Sequence, residues 1–290
     1  MNVLITGVVG FIGSHLAERL KSLGHNVVGV DSISDYYSLE LKNLNKRDLI
    51  DKGIKVERLD LSADPLKDLI NGIDVVFHLA AQPGISDKTP FEAYLKNNFV
   101  ATHKLIEAFK DSKNLKMFVN ISTSSVYGAH ATDSEDAAPK PTSYYGVTKL
   151  AAEQLVLAYQ RDQSFPACSL RLFSVYGERE RPEKLFPQVI NSILNPEYKL
   201  KFYKGSKKHI RSYTYVGDII DGMVLVLENL EKCNGEIFNF GTEEAITTGE
   251  SLKIIEGIMG EAPNMETAPK RVGDQKETRA NVSKARKILG

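Results

Sequence analysis

The chain has 290 residues, 37 Lys and Arg against 37 Asp and Glu, 42% hydrophobic residues, 2 Cys and no Trp. Balanced charge removes the basic footprint of a nucleic-acid binder, and no apolar run approaches the roughly 20 residues that span a bilayer. The length suffices for one large domain or two modest ones with a real core.

Short β-branched runs at Val3–Thr6, Val27–Asp31, Lys55–Leu59, Asp74–Leu79, Met117–Ser122 and Cys168–Leu172 read as strands. Most are nearly continuous in apolar residues, as expected of strands covered on both faces. Helical stretches separate them at Ile12–Leu23, Ser38–Asp51, Phe91–Lys110 and Gly146–Arg161. This alternation predicts an α/β fold with a doubly wound parallel sheet. The second half is less regular: Glu183–Leu194 and Gly217–Leu230 read as helices, Glu236–Phe240 as a strand and Gly249–Met259 as a helix. Pro182, Pro187, Pro196 and the Lys204–Lys208 turn suggest a smaller lobe there. Cys168 and Cys233 lack CxxC or metal-like spacing, and the start shows no basic stretch leading into an apolar one. A cytoplasmic location is expected. The six histidines show no metal-binding spacing, and no metal is expected.

The first strand runs into Gly7-Val8-Val9-Gly10-Phe11-Ile12-Gly13 and then a helix. Glycines at such a junction permit positive φ and let backbone N–H groups approach a pyrophosphate, to which the helix N-terminus adds a favourable dipole. The spacing is Gly-x-x-Gly-x-x-Gly, so it matches the mechanism of a dinucleotide turn rather than its commonest spelling. Asp31 ends the second strand, where a carboxylate can accept from a ribose diol and repel a 2′-phosphate. No Arg follows in the next ten residues, which favours NAD over NADP. Asp60-Leu61 and Leu79-Ala80-Ala81 also lie at strand C-termini, the edge where ligands collect in open α/β sheets.

Tyr145 and Lys149 stand four apart at the start of a predicted helix, so both project from one face. A buried ammonium beside a phenol favours phenolate, and such a tyrosine can exchange a proton with a sugar hydroxyl. A second Tyr-x-x-x-Lys, Tyr203 and Lys207, falls in a lysine-rich turn and reads as a solvated loop. The first copy follows a strand that ends in Ser122-Thr123-Ser124-Ser125, hydroxyls able to bind the same substrate oxygen.

Together Gly7-x-x-Gly10-x-x-Gly13, Asp31, His78-Leu79-Ala80-Ala81, Thr123-Ser124-Ser125-Val126-Tyr127-Gly128 and Tyr145-x-x-x-Lys149 resemble the extended short-chain dehydrogenase/reductase family, most closely its NAD-dependent nucleotide-sugar 4-epimerase branch. The likeness continues through Leu170–Gly177, Arg211–Val216, Arg271–Asp274 and Ala280–Ala285. It implies a Rossmann domain over 1–173 and a mostly C-terminal substrate lobe over 174–290, with about 213–241 returning to pack on the first domain. It places NAD against Gly7, Gly10, Phe11, Ile12, Gly13, Asp31, Ser32, Asp60, Leu61, Leu79, Ala80, Ala81, Asn98, Tyr145, Lys149 and Phe173. The implied reaction is a transient oxidation in which Tyr145 takes the 4-hydroxyl proton of a UDP-sugar while C4 gives its hydride to NAD+. The 4-keto sugar then turns over and is reduced from its other face. Thr123 would assist at the 4-oxygen, and Lys149 would hold the cofactor ribose. Arg211 and Arg271 would bind the substrate diphosphate, with Asp274 also at the substrate, and Phe202 is a candidate for stacking on the uracil that reads equally well as a core aromatic. Relatives of this kind are commonly homodimers through helices resembling Phe91–Lys110 and Gly146–Arg161. They also continue beyond the helix begun at Val282, where this chain stops at Gly290.

Relatives that eliminate water carry Asp-Glu after the threonine, and decarboxylating ones keep a Glu at the second position. Here Ser124 and Ser125 stand there, and hydroxyls cannot act as carboxylate acid/bases at neutral pH. Epimerisation survives that loss. Tyr176-Gly177-Glu178-Arg179-Glu180-Arg181-Pro182 resembles a segment of epimerases acting on UDP-glucuronate, where Arg181 could fork a sugar carboxylate; Arg181 reads equally well as a surface arginine. Ser174 leans the same way. The continuation Glu183-Lys184-Leu185 and the absence of Arg near Gly84-Ile85-Ser86 depart from that pattern, so the sugar stays open between hexose and hexuronate. A nucleotide-sugar reductase or dehydrogenase, and a non-catalytic NAD-binding sensor, remain as other readings.

Overall fold

The computed structural model describes all residues except Asp87, Arg271 and Val272. Its main sheet is built from β1 (Asn2–Thr6), β2 (Asn26–Asp31), β3 (Lys55–Arg58), β4 (Val75–His78), β5 (Met117–Thr123), β6 (Ala167–Leu172) and β7 (Ile237–Phe240). All pairings are parallel, in the spatial order β7-β6-β5-β4-β1-β2-β3. The winding reverses between β1 and β4, which opens a crevice at the C-terminal ends of those strands.

The apolar strand runs divide by the two-residue period of the pleat. Val3 and Ile5 of β1, Val75 and Phe77 of β4, and Val119 of β5 face a core with Leu16, Ala17 and Leu20 of α1 (Phe11–Ser22), Leu49 of α2 (Leu39–Asp51) and a later helix at Val216–Glu228. Leu4, Val76 and Phe118 point to the other side. There they meet Leu105, Ile106 and Phe109, and Val156 of a long helix at Tyr144–Gln163. Full burial of each such side chain stabilises by roughly 1.5–3 kcal/mol, which is why the continuous runs belong in a sheet with helices on both faces.

The stretch expected as one helix over Phe91–Lys110 is a composite. α3 (Phe91–Tyr94) passes into a π-helical turn (Leu95–Val100) and then α4 (Ala101–Phe109). The next helix, α5 (Tyr144–Gln163), starts two residues before the expected Gly146, because the Ser143 side chain caps it by accepting from Gly146 N at 3.1 Å. Tyr145 therefore sits in the first helical turn. α6 (Leu185–Leu194) also starts later than the expected Glu183, with Lys184 in extended conformation before it.

α7 (Val216–Glu228) returns to pack against α1, and after the short α8 (Leu230–Cys233) the chain adds β7 beside β6. α6 and α9 (Thr248–Met259) enclose Val189, Ile193, Leu200 and Leu252 in a separate small core, and α10 (Ser283–Leu289) closes the chain. Among the described residues no helix is long and apolar enough to cross a membrane.

Candidate active site

At the end of β1, Gly7 turns with φ +70°, and a Cβ there would lie 2.9 Å from Ala80 N. A Cβ on Gly13 would lie 2.3 Å from the Gly7 carbonyl, so α1 can approach the turn only without one. Gly10 caps α1 in extended backbone and has no side chain to take the first-turn N–H groups of Phe11, Ile12 and Gly13. Those donors and the helix dipole are left for an anion. Asp31 follows on β2, accepting from Ile33 N at 2.8 Å and Val9 N at 3.2 Å. Burial pushes its carboxyl up, against those N–H groups and nearby Lys42. A cradle that excludes a Cβ, beside a helix N-terminus and a strand-end carboxylate, suits a pyrophosphate joined to a ribose diol.

Lys42 escaped the sequence reading. It is buried on α2, donates to Ser34 O at 2.6 Å and lies 4.4 Å from the centre of the Tyr37 ring. Its exposure depends on how the loop after β2 folds back, which no local pattern in the sequence announces. Ser32 stands exposed in that loop. Asp60 spends its oxygens on Ser62 and, at 3.1 Å, on Lys96, so its side chain shapes the loop while Leu61 is buried beside it.

Leu79, Ala80 and Ala81 line the chain leaving β4. Asn98, on the π-helical turn, clamps this loop: its Oδ1 accepts from Gln82 N at 2.7 Å, and its Nδ2 donates to Gln82 O at 3.2 Å and to Thr148 Oγ1 at 3.1 Å. The wide turn thus ties the loop to α5. Beneath it His78 is wholly buried between Thr6 and Thr102, at 2.8 and 2.9 Å. Ala80 N donates to Thr6 Oγ1 and Thr102 Oγ1 donates to Asn98 O, which orients both hydroxyls. His78 then accepts at Nδ1 and donates at Nε2, a fully satisfied neutral ring. Burial holds its pKa down at about 3, with Lys149 adding to the effect.

β5 delivers Thr123 to the same edge, where its hydroxyl accepts from Ser125 N at 3.2 Å and starts the 3-10 turn Ser124–Tyr127. Ser124 and Ser125 are buried, not the exposed turn formers that hydroxyls often are. Tyr145, on the first turn of α5, stands close enough to Thr123 for that hydroxyl to favour its phenolate. Its pKa is nevertheless raised, burial outweighing the Thr123 hydroxyl and the positive charge of Arg181. The phenol expected to be lowered by Lys149 is thus held neutral in the structure, because desolvation dominates. Lys149 lies one turn on, fully enclosed, and burial brings it down to about 8 while Glu153 opposes. The second Tyr-x-x-x-Lys is broken by Gly205 at φ +90° between Tyr203 and the 3-10 turn that holds Lys207.

Arg181 enters this cleft. Its guanidinium lies 5.6 Å from the Tyr36 ring centre and 3.3 Å from where a Gly84 Cβ would be. Tyr36, Tyr94 and Tyr145 form the surrounding aromatic wall, with Tyr94 and Tyr145 centroids 6.3 Å apart. Tyr36 and Tyr94 were not singled out in the sequence, since isolated tyrosines carry no periodic signal. Ser174 sits 3.4 Å from Thr278 at the lobe boundary. Arg211 donates to Ile210 O at 2.8 Å and to Gln275 O, and Gln275 in turn reaches Ser124 O and Gly128 O, joining the segment after Gly273 to the Thr123 turn. Asp274 precedes Gln275, and Arg271 lies outside the described residues. Phe202 packs on the small core of the lobe, and the Phe173 ring is wholly buried with Tyr127, Ala280 and Val282 rather than facing the cleft.

The profile of the NAD dependent epimerase/dehydratase family matches residues 3–241. The chain is 37% identical over 295 residues to a Bacillus subtilis (strain 168) protein named uncharacterized UDP-glucose epimerase YtcB, covering 100% of this chain and 92% of that one. It is similar to the crystal structure of UDP-glucuronic acid 4-epimerase from Bacillus cereus in complex with UDP-glucuronic acid and NAD. That match has a TM-score of 0.93 at 37% identity and covers 100% of this chain and 93% of the other. MoeE5 in complex with UDP-glucose and NAD matches with a TM-score of 0.89 at 35% identity, over 100% of this chain and 92% of its own.

Proposed function

This chain belongs to the NAD dependent epimerase/dehydratase family, and from that premise we propose that it is an isomerase inverting C4 of a UDP-hexose or UDP-hexuronate. The observation that carries the reading is the Tyr145 phenol close to Thr123 at the C-terminal end of β5, with Lys149 one helical turn away. The Gly7–Gly13 turn, Asp31, the Leu79–Ala81 segment, Tyr145 and Lys149 would hold NAD. Bound there, NAD+ supplies a reversible hydride acceptor for C4.

The protein's own residues manage the proton. Tyr145 takes it from the 4-hydroxyl and returns it after the sugar has turned over. Thr123 Oγ1 holds the 4-oxygen in both poses. Lys149 places a positive charge behind the phenol, which favours the phenolate that burial alone disfavours. Ser124 and Ser125 bring hydroxyls but no carboxylate, so these two positions supply no acid/base for elimination or decarboxylation. Arg181 favours a hexuronate within this class, because a guanidinium at the aromatic wall can fork a carboxylate. Arg211 and Arg271 would take the diphosphate.

We also place a homodimer in this reading, supported by exposed Phe91, Leu95, Val100, Tyr144 and Val147 on neighbouring helices, the Phe91 and Tyr144 ring centroids 5.3 Å apart; light scattering would test it. A cytoplasmic location suits the free, buried Cys168 and Cys233. The experiment for the reaction is incubation with UDP-glucuronate, UDP-glucose and their N-acetyl forms, with the C4 isomers resolved. Tyr145→Phe should abolish turnover and keep NAD bound. Turnover intact in that variant, or no C4 inversion of any UDP-sugar, would overturn the reading.

A further inference from the structure

Behind the Tyr145–Lys149 pair the helix carries a third residue in the same register. Glu153 lies four positions beyond Lys149 on the same face of α5, and its side chain is completely buried. Arg171 reaches it from β6 with a two-pronged contact, Nη2 to Oε1 at 2.7 Å and Nε to Oε2 at 3.0 Å. The remaining prong, Nη1, donates to Tyr127 Oη at 2.7 Å and to Glu135 O at 3.3 Å. Tyr127 in turn donates to Asn239 Oδ1 at 2.8 Å, and Asn239 N donates to Glu135 Oε1 at 2.7 Å. Glu153 thus lies between Lys149, one helical turn away, and its ion-pair partner Arg171, which in turn touches Glu135 through its backbone carbonyl.

An enclosed ion pair of this kind is a poor stabiliser, because desolvating two charges costs several kcal/mol each and a well-packed apolar pair often serves as well. Its placement gives it another use. We propose that Glu153 is a positioning residue that keeps Lys149 in its ammonium form, and that Arg171 fixes Glu153 for that task. The inference rests on the assignment of Lys149 to the cofactor and to Tyr145.

The charged and titratable groups facing Lys149 are few. Glu153 and Tyr145 come from its own helix, neutral His78 from β4, and Arg171 stands behind Glu153. Among the described residues Glu153 is the one negative group of this set. Burial already brings Lys149 down to about 8 with that carboxylate in place. Without it burial would act unopposed, and the ammonium would lose its proton, and with it the charge that favours phenolate, at a lower pH.

The test uses Glu153→Leu/Arg171→Met, which removes both charges together and so leaves neither buried alone. NAD retained after gel filtration, and UDP-sugar turnover, are measured from pH 6 to 10 beside the melting temperature. The proposal expects a folded double variant whose loss of NAD and of activity on the alkaline side moves to lower pH by about one unit or more. A folded double variant with both profiles superimposed on wild type would overturn it. Glu153→Asp covers the case where the double variant fails to fold: it keeps the ion pair and withdraws the carboxylate by one methylene. A smaller shift in the same direction supports the proposal, and an unmoved NAD profile overturns it. Loss of activity with an unmoved NAD profile in wild type above pH 8 would instead point to a failure of the cofactor role given to Lys149.

Discussion

His78 shows how a titratable side chain can be silenced by its neighbours. Two threonines supply a donor and an acceptor, each fixed by a backbone partner, so protonation would break a bond as well as bury a charge. Its pKa falls from 6.5 to about 3, so the unfolded chain binds the extra proton first. The resulting stability is fully present above about pH 6.5 and is lost as pH falls towards 3; by pH 5 the loss amounts to about 2 kcal/mol. Urea unfolding at pH 8 and pH 5 should show that drop in wild type and a smaller one in His78→Asn. Arg181 offers a sharper functional contrast. If it forks a sugar carboxylate, Arg181→Ala should raise KM for UDP-glucuronate by roughly 10- to 100-fold and leave UDP-glucose little changed, the size of a lost charge-assisted hydrogen bond. Parallel initial-rate measurements on the two sugars decide it.

At the level of elements, the start of α5 decides where the phenol stands. Ser143 accepts from Gly146 N and so folds Tyr144 and Tyr145 into the helix. Ser143→Ala should cost about 1 kcal/mol of stability and lower kcat more than it raises KM, as the first turn frays around Tyr145; thermal melts and steady-state kinetics test both parts. The glycine turn is less forgiving. Gly13→Ala drives a Cβ against the Gly7 carbonyl at 2.3 Å, and the purified variant should carry little or no NAD, measurable by absorbance after denaturation. These elements also mark how far the sequence could be read. Periodicity and glycine spacing announce β1, α1 and the crevice because those signals are local. The π-helical turn at Leu95–Val100 is invisible in the pattern, since six residues are too few to set a period of their own against the α-helical turns on either side. Tyr36 and Lys42 reach the cleft because the loop after β2 folds back and Tyr94 because α3 packs beside α5, and Phe173 leaves the cleft because a satellite core claims its ring. The raised phenol of Tyr145 could not be foreseen from a Tyr-x-x-x-Lys spacing, because depth of burial is a property of the assembled sheet.

Across the whole molecule, the main sheet is not finished by the first half of the chain. β7 joins β6 only after the excursion that contributes Arg181, Arg211 and α6, and α7 lays Ile219, Met223 and Val226 on the core beneath α1. A fragment of residues 1–173 would leave the β6 edge unpaired and part of an apolar face uncovered. Expressed alone it should be insoluble, and co-expression with residues 174–290 should recover it in the supernatant, as read by fractionation on a gel. The returning strand has a consequence for the order of events at birth. While the protein emerges from the ribosome, the mononucleotide cradle is already complete in sequence, yet the layer that supports it waits for some sixty-five more amino acids. Capture of the coenzyme by the nascent polypeptide would therefore come late, after the excursion between β6 and β7 has been synthesised and stitched into place.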